Sequence, residues 1–203
     1  VHKFAAVAES NTTGTGEALD ADAVNALGTK LDGAEFTLWK IKTKTDTYPT
    51  GIDFEKDFED GKAVGSAAYI EALITDGSHI VDKGTFKTGD IDEGFAQGEA
   101  QWTGLEVGYY ILKETKMPDG KAPGATGSKY KAAVPTIVTL PMGYSSGGAT
   151  TSWNYDIHVY PKNVRDIDGI YKELTNAQAK QEYKVGDTAT WAIESLIDTV
   201  LYK

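Results

Sequence analysis

The sequence predicts an all-β fold, a sandwich carrying short helical insertions, and three observations predict it. Apolar residues alternate with period two from Leu31 to Ile41 and from Leu105 to Pro118. Glycine, proline, asparagine and aspartate turns separate such short runs along the chain. Helical patterning is confined to brief segments, so the regular alternation of helix and strand that a doubly wound α/β fold needs is missing.

The elements follow in order. Val1 to Ala8 reads as a first strand and Asn11 to Gly16 as a polar turn. Asp20 can cap a short helix that Gly28 ends. Leu31 to Ile41 is a central strand with Phe36 and Leu38 on one face, and the charged stretch from Thr43 to Gly65 is irregular. Ser66 to Gly77 is the best helix, with Ser66 as N-cap, Tyr69, Ile70, Leu73 and Ile74 as its apolar stripe and Gly77 as its stop. Leu105 to Pro118 is a strand closed by a proline turn, and Ala133 to Leu140 another, interrupted by Pro135. Gly143 to Ser152 reads as a small-residue loop leading into a strand that begins at Trp153. Beyond Asn163, residues Val164 to Asp168 form a charged connector, and strands are expected from Gly169 to Leu174 and from Glu182 to Ile193. The expected boundary separates a domain at 1–165 from the opening strands of a second sandwich at 166–203. The first residue, Val1, and the strand-like run ending at Lys203 read as the ends of a piece of a longer chain.

Composition narrows the function classes. The net charge of −10 disfavours nucleic acid as a partner, because phosphate binding draws on a surplus of lysine and arginine. No stretch approaches a membrane span. Cysteine is absent, so no disulfide can form, and an exposed protein of this sequence needs another source of durability. His2, His79 and His158 show no metal-ligand spacing, and the acidic runs at Gly89 to Gly94 and Asp166 to Gly169 lack a full calcium loop. Neither a nucleophile elbow nor a phosphate loop is present. No metal, cofactor or turnover chemistry is expected.

The run from Trp153 to Asn163 (WNYDIHVYPKN) carries the most information. In a strand, Ile157, Val159, Pro161 and Asn163 share one face while His158, Tyr160 and Lys162 share the other. With the aliphatic pair facing the core, Asn163 points inward and Lys162 outward. The plainer reading is an edge strand ended by Pro161 and followed by an ordinary solvated lysine.

This run resembles the pilin motif of the shaft subunits of sortase-assembled Gram-positive pili, in which Tyr-Pro-Lys-Asn follows a tryptophan and alternating aliphatics. The matching residues are Trp153, Ile157, Val159, Tyr160, Pro161 and Lys162. The resemblance implies that a pilus-specific class C sortase joins Lys162 to the sorting-signal threonine of an identical neighbouring subunit. Gly108 to Glu114 (GYYILKE) resembles the E-box strand of the immunoglobulin-like Cna-B modules of such pilins, and Leu31 to Leu38 their second strand. That implies an immunoglobulin-like, Cna-B-type sandwich with an intramolecular isopeptide bond between Lys3 and Asn163, promoted by Glu114. Lys172, in a repeat of the Lys3 position, would be the bond-forming lysine of the second domain.

The chemistry stands beside the resemblance. A lysine amine is nucleophilic only when neutral, and burial favours the neutral form. Burial raises a carboxyl's pKa, so a protonated Glu114 could donate to the Asn163 carbonyl and shuttle protons as ammonia departs. Parity places Glu114 with Tyr110 and Leu112, although Tyr109 and Ile111 make the opposite face apolar too. The plain alternatives are an exposed Lys3 on an edge strand, a solvated Glu114 at a strand end and an Asn163 that caps a turn.

The expected function is a structural subunit of a cell-wall-anchored, extracellular pilus, with one autocatalytic turnover at most. The alternative is an adhesin or minor-pilin module in which the inserted helix and a glycine-rich loop at Gly124 to Lys131 bind a host glycan or matrix protein. A hydrolase accessory domain of similar shape is a third reading.

Overall fold

The computed structural model describes residues 1–6, 16–45, 49–146, 149–165, 170–174 and 191–195. Its elements in chain order are β1 (Phe4–Ala6), α1 (Ala21–Ala26), β2 (Glu35–Ile41), α2 (Phe54–Glu59), α3 (Ala67–Asp76), β3 (Ile80–Lys87) and β4 (Gly108–Lys116). There follow β5 (Tyr130–Lys131), β6 (Thr136–Leu140), β7 (Met142–Ser146), β8 (Ala149–Asn154), β9 (Lys162–Arg165), β10 (Ile170–Leu174) and β11 (Trp191–Ser195). The chain divides into two units, Val1–Arg165 and Asp166–Lys203.

In the first unit, strand alternation builds a four-stranded antiparallel sheet in the order β3-β2-β4-β6. Period two sends Phe36, Leu38, Tyr110 and Leu112 to one face, where they form a buried cluster with Ala34. It sends Trp39, Ile41 and Ile111 to the other face, where Ile70 and Leu73 of α3 cover them. The helix starts where the Ser66 hydroxyl accepts the Tyr69 N–H and stops at Gly77, whose φ of 68° suits a residue without a Cβ. Burying each large apolar side chain in these layers contributes about 1.5–3 kcal/mol.

A second sheet has the order β1-β9-β5, with β1 parallel and β5 antiparallel to β9. It lies against the first face of the large sheet, where Val1 and Val159 pack on the Phe36–Tyr110 cluster. Two facing sheets with short helices set on them make the all-β sandwich that the sequence predicts. In the second unit, β10 and β11 form an antiparallel pair with Lys172 opposite Ile193.

Four local expectations change. The stretch at 143–152 is not a loop, since β7 and β8 form a hairpin there with Gly143 opposite Trp153. The irregular stretch after Thr43 contains α2, capped by the Asp53 side chain on the Lys56 N–H. Strand β3 has no counterpart in the sequence reading, because it is an edge strand whose register against β2 shifts between Thr37 and Trp39. The run from Trp153 to Asn163 is not one strand. β8 ends at Asn154, whose side chain accepts the Asp156 N–H and turns the chain, and ladder pairing resumes only at Lys162. The expectations for residues 7–15, 166–169 and 182–190 lie outside the described residues.

Candidate functional site

Between the two sheets, Lys3, Glu114 and Asn163 meet with their side chains fully buried. β1 and β9 run in register, with Phe4 beside Lys162 and Ala5 beside Asn163, so Lys3, Ala5 and Asn163 share the inward face. Backbone bonds fix Lys3 on both sides, its N–H donating to Gly98 O at 2.7 Å and its carbonyl accepting from Leu31 N at 2.9 Å. Gly98 has a φ of +72°, and a Cβ there would stand 2.9 Å from the Lys3 carbonyl oxygen, so that close approach needs glycine. From the opposite sheet, β4 delivers Glu114 on the face of Tyr110 and Leu112, with Phe36 as its partner across β2.

Lys3 Nζ lies 3.1 Å from Glu114 Oε1 and 5.3 Å from the centre of the Phe36 ring. Burial pushes the Lys3 pKa down from 10.5 to about 8, against the pull of the Glu114 charge in the other direction. Glu114 Oε2 accepts from the Ala133 N–H at 2.7 Å and from Asn163 Nδ2 at 2.8 Å. Asn163 Nδ2 also donates to the Lys131 carbonyl at 2.7 Å. Three buried atoms, Lys3 Nζ, Glu114 Oε1 and Asn163 Oδ1, have no partner in proper hydrogen-bond geometry. Buried polar groups are nearly always satisfied, so three unsatisfied atoms on three neighbouring buried side chains make a costly arrangement.

One geometric expectation is corrected. Glu114 does not donate to the Asn163 carbonyl; it accepts from the carboxamide nitrogen. The reason is the Lys131 carbonyl on the other side of Asn163, which can only accept and therefore draws the NH₂ end.

Lys162 lies on the opposite face of β9 from Asn163 and is half-buried. Before it, the carbonyls of Val159 and Pro161 accept from the N–H groups of His2 and Phe4 at 2.8 and 3.1 Å, so this stretch runs alongside the N-terminal strand. Val159 turns to the core while Tyr160 stacks on His2 at 4.8 Å and accepts the Leu19 N–H. Ile157 is half-buried beside Gly16. Trp153 belongs to the β8 hairpin and is 62 % exposed, on a different strand from Lys162. Lys172 sits on β10, in the other unit from Lys3.

Two features escaped sequence reasoning. His2 and His158 bond ring to ring at 2.8 Å across 156 positions of sequence. The Lys131 and Ala133 contacts are made by backbone atoms, which no side-chain pattern can signal. The glycine-rich stretch before Lys131 does end in β5, which pairs with β9. Among the described residues no group of three or more His, Asp or Glu side chains could hold a metal ion, and no helix is long and apolar enough to cross a membrane.

The model of the family "Gram-positive pilin subunit D1, N-terminal domain" matches residues 1–164. The chain belongs to this pilin family. Fimbrial subunit type 1 of Actinomyces viscosus is 32 % identical to this pilin chain over 196 residues, 96 % of the chain and 31 % of the relative. Fimbrial subunit type 2 of Actinomyces naeslundii is 31 % identical over 180 residues, 84 % of the chain and 29 % of the relative. The pilin chain thus spans under a third of these relatives. Two solved structures are similar to it, both of Corynebacterium diphtheriae major pilins. SpaA has 19 % identity and a TM-score of 0.44 over 95 % of this chain and 36 % of its own. SpaD has 25 % identity and a TM-score of 0.43 over 83 % of this chain and 33 % of its own.

Proposed function

We propose that this D1 domain is the N-terminal module of a shaft subunit in a covalent, cell-wall-anchored extracellular pilus, and that Lys162 is the amine a class C sortase links to the sorting-signal threonine of the next identical subunit. Family membership supports the subunit role. The placement of Lys162 on the opposite face of β9 from Asn163 supports the acceptor role, since the adjoining Asn163 is spent on the interior. Residues 166–203 are read as the opening of a second sandwich, with Lys172 as its bond-forming lysine.

The module also closes an internal Lys3–Asn163 isopeptide bond promoted by Glu114. The meeting of these three buried side chains on Glu114, each with one unsatisfied polar atom, carries this reading. Glu114 takes a proton from the Lys3 ammonium, the freed amine attacks Asn163 Cγ, and the Cγ–Nδ2 bond breaks. Of the ammonium's three protons two are lost: one leaves on the departing nitrogen as ammonia and the other stays on Glu114, so the buried cation and the buried carboxylate are neutralised together. Closure neutralises a buried pair of charges and ties β1 to β9, which lets the fibre bear tension without disulfides.

The subunit role is tested by incubating the full-length pilin with its pilus sortase. A ladder of covalent oligomers is expected, and its disappearance in Lys162→Ala; a ladder undiminished in that variant assigns the acceptor elsewhere.

A further inference from the structure

We infer that the backbone joining β5 to β6, through the Ala133 N–H and the Lys131 carbonyl, is the positioning device of the isopeptide reaction: it fixes which oxygen of Glu114 takes the lysine proton and which end of the Asn163 carboxamide leaves. This rests on the Lys3–Asn163 bond proposed above.

A backbone N–H can only donate, so Glu114 Oε2, held by Ala133 at 2.7 Å, must present a lone pair to it. Asn163 Nδ2 occupies the same oxygen at 2.8 Å. With Oε2 engaged by two donors, the free site for a proton on this carboxyl is Oε1, the atom 3.1 Å from Lys3 Nζ. A backbone carbonyl can only accept, so Lys131 O at 2.7 Å orients the NH₂ of Asn163 toward itself and leaves Oδ1 without a donor. Both hydrogens of Nδ2 are then held by acceptors, Glu114 Oε2 and Lys131 O. As the Cγ–Nδ2 bond breaks and this nitrogen gains a proton, those acceptors hold the departing ammonia by its N–H groups. The amine end of Lys3 meets one oxygen of Glu114 and the leaving group the other, and the segment between β5 and β6 enforces that assignment.

The test replaces the amide at Ala133 by an ester, with lactate in place of alanine, which deletes the N–H and keeps the methyl side chain. Ala133→Gly is the companion, keeping the N–H and deleting the methyl. Each 203-residue chain is made in a cell-free pulse, and the loss of ammonia is followed by intact mass against time. The ester chain is expected to close at least about tenfold slower than wild type, about 1.4 kcal/mol of barrier, while Ala133→Gly, which keeps the N–H, is slowed less than the ester. A purely structural role for the segment gives the reverse order, because glycine loosens the backbone and lactate preserves the packing; that order overturns the inference. A wild-type chain that closes alongside an equally fast ester chain also sinks the positioning role and spares the bond. A wild-type chain that never loses the mass sinks the bond and the positioning role with it.

Discussion

Lys3 Nζ and Glu114 Oε1 stand 3.1 Å apart with both side chains at 0 % exposure, in a contact that lacks hydrogen-bond alignment. Removing two charges from water costs several kcal/mol per ion, and attraction offsets this only where the remaining donors and acceptors are satisfied. Here they are not. The unclosed domain is therefore held under a local electrostatic penalty, which the proposed bond would relieve.

Glu114→Gln keeps the shape of the side chain and deletes the proton acceptor. The variant is expected to retain the full sequence mass, and thermal unfolding to occur well below that of the wild type. Glu114→Ala goes further, stranding the Lys3 ammonium in the core at a cost of about 3–5 kcal/mol relative to the unclosed parent. Denaturant melts of Glu114→Ala and of Asn163→Ala, neither able to close, measure that difference.

The pH dependence follows from the depressed Lys3 pKa. Because that amine titrates near about 8 when folded, the closure rate should climb as pH rises through about 8 and level off above it. In Asn163→Ala, where the amine stays free, the unfolded chain binds the extra proton between about 8 and 10.5. Stability should rise with pH across that window and fall again as pH drops back through about 8. The closed wild type has no Lys3 amine to titrate and should lack that rise. Urea melts at stepped pH read both curves.

Gly98→Ala places a Cβ 2.9 Å from the Lys3 carbonyl at a φ of +72°, a backbone region that disfavours side chains. The expected loss is about 1–2 kcal/mol, with slower closure because the strand that aims Lys3 must shift. A stability loss together with an unchanged closure time course would show that the Lys3 anchor is looser than its geometry implies.

Ile70→Ala separates scaffold from chemistry. Ile70 is fully buried on the far face of the large sheet, against Ile41 and Ile111. Its truncation should cost about 2–5 kcal/mol by cavity formation, while purified, folded protein still carries the closed bond by mass.

Much of this architecture is legible in the sequence where a side chain announces its own neighbours. Parity along β4 puts Glu114 inward with Tyr110 and Leu112, and the caps of α3 are readable from Ser66 and Gly77. Parity alone could not settle which face of β4 is the interior, since Ile111 serves a second buried layer under α3. The strand run from Trp153 failed for a local reason, an Asn154 side chain that bonds the Asp156 backbone and breaks the ladder. Edge strand β3 was hidden by its register shift, and the contacts of Lys131 and Ala133 by being made of backbone. The His2–His158 pair was hidden by distance in sequence, as tertiary contacts between single residues are.

The most direct measurement is the intact mass of the purified chain, followed by mapping of any cross-linked peptide. The expected mass lies about 17 Da below that of the sequence, for one ammonia released when a lysine attacks a carboxamide, with the link mapping to Lys3 and Asn163. A mass equal to the sequence, in folded protein incubated above pH 8, would contradict that link.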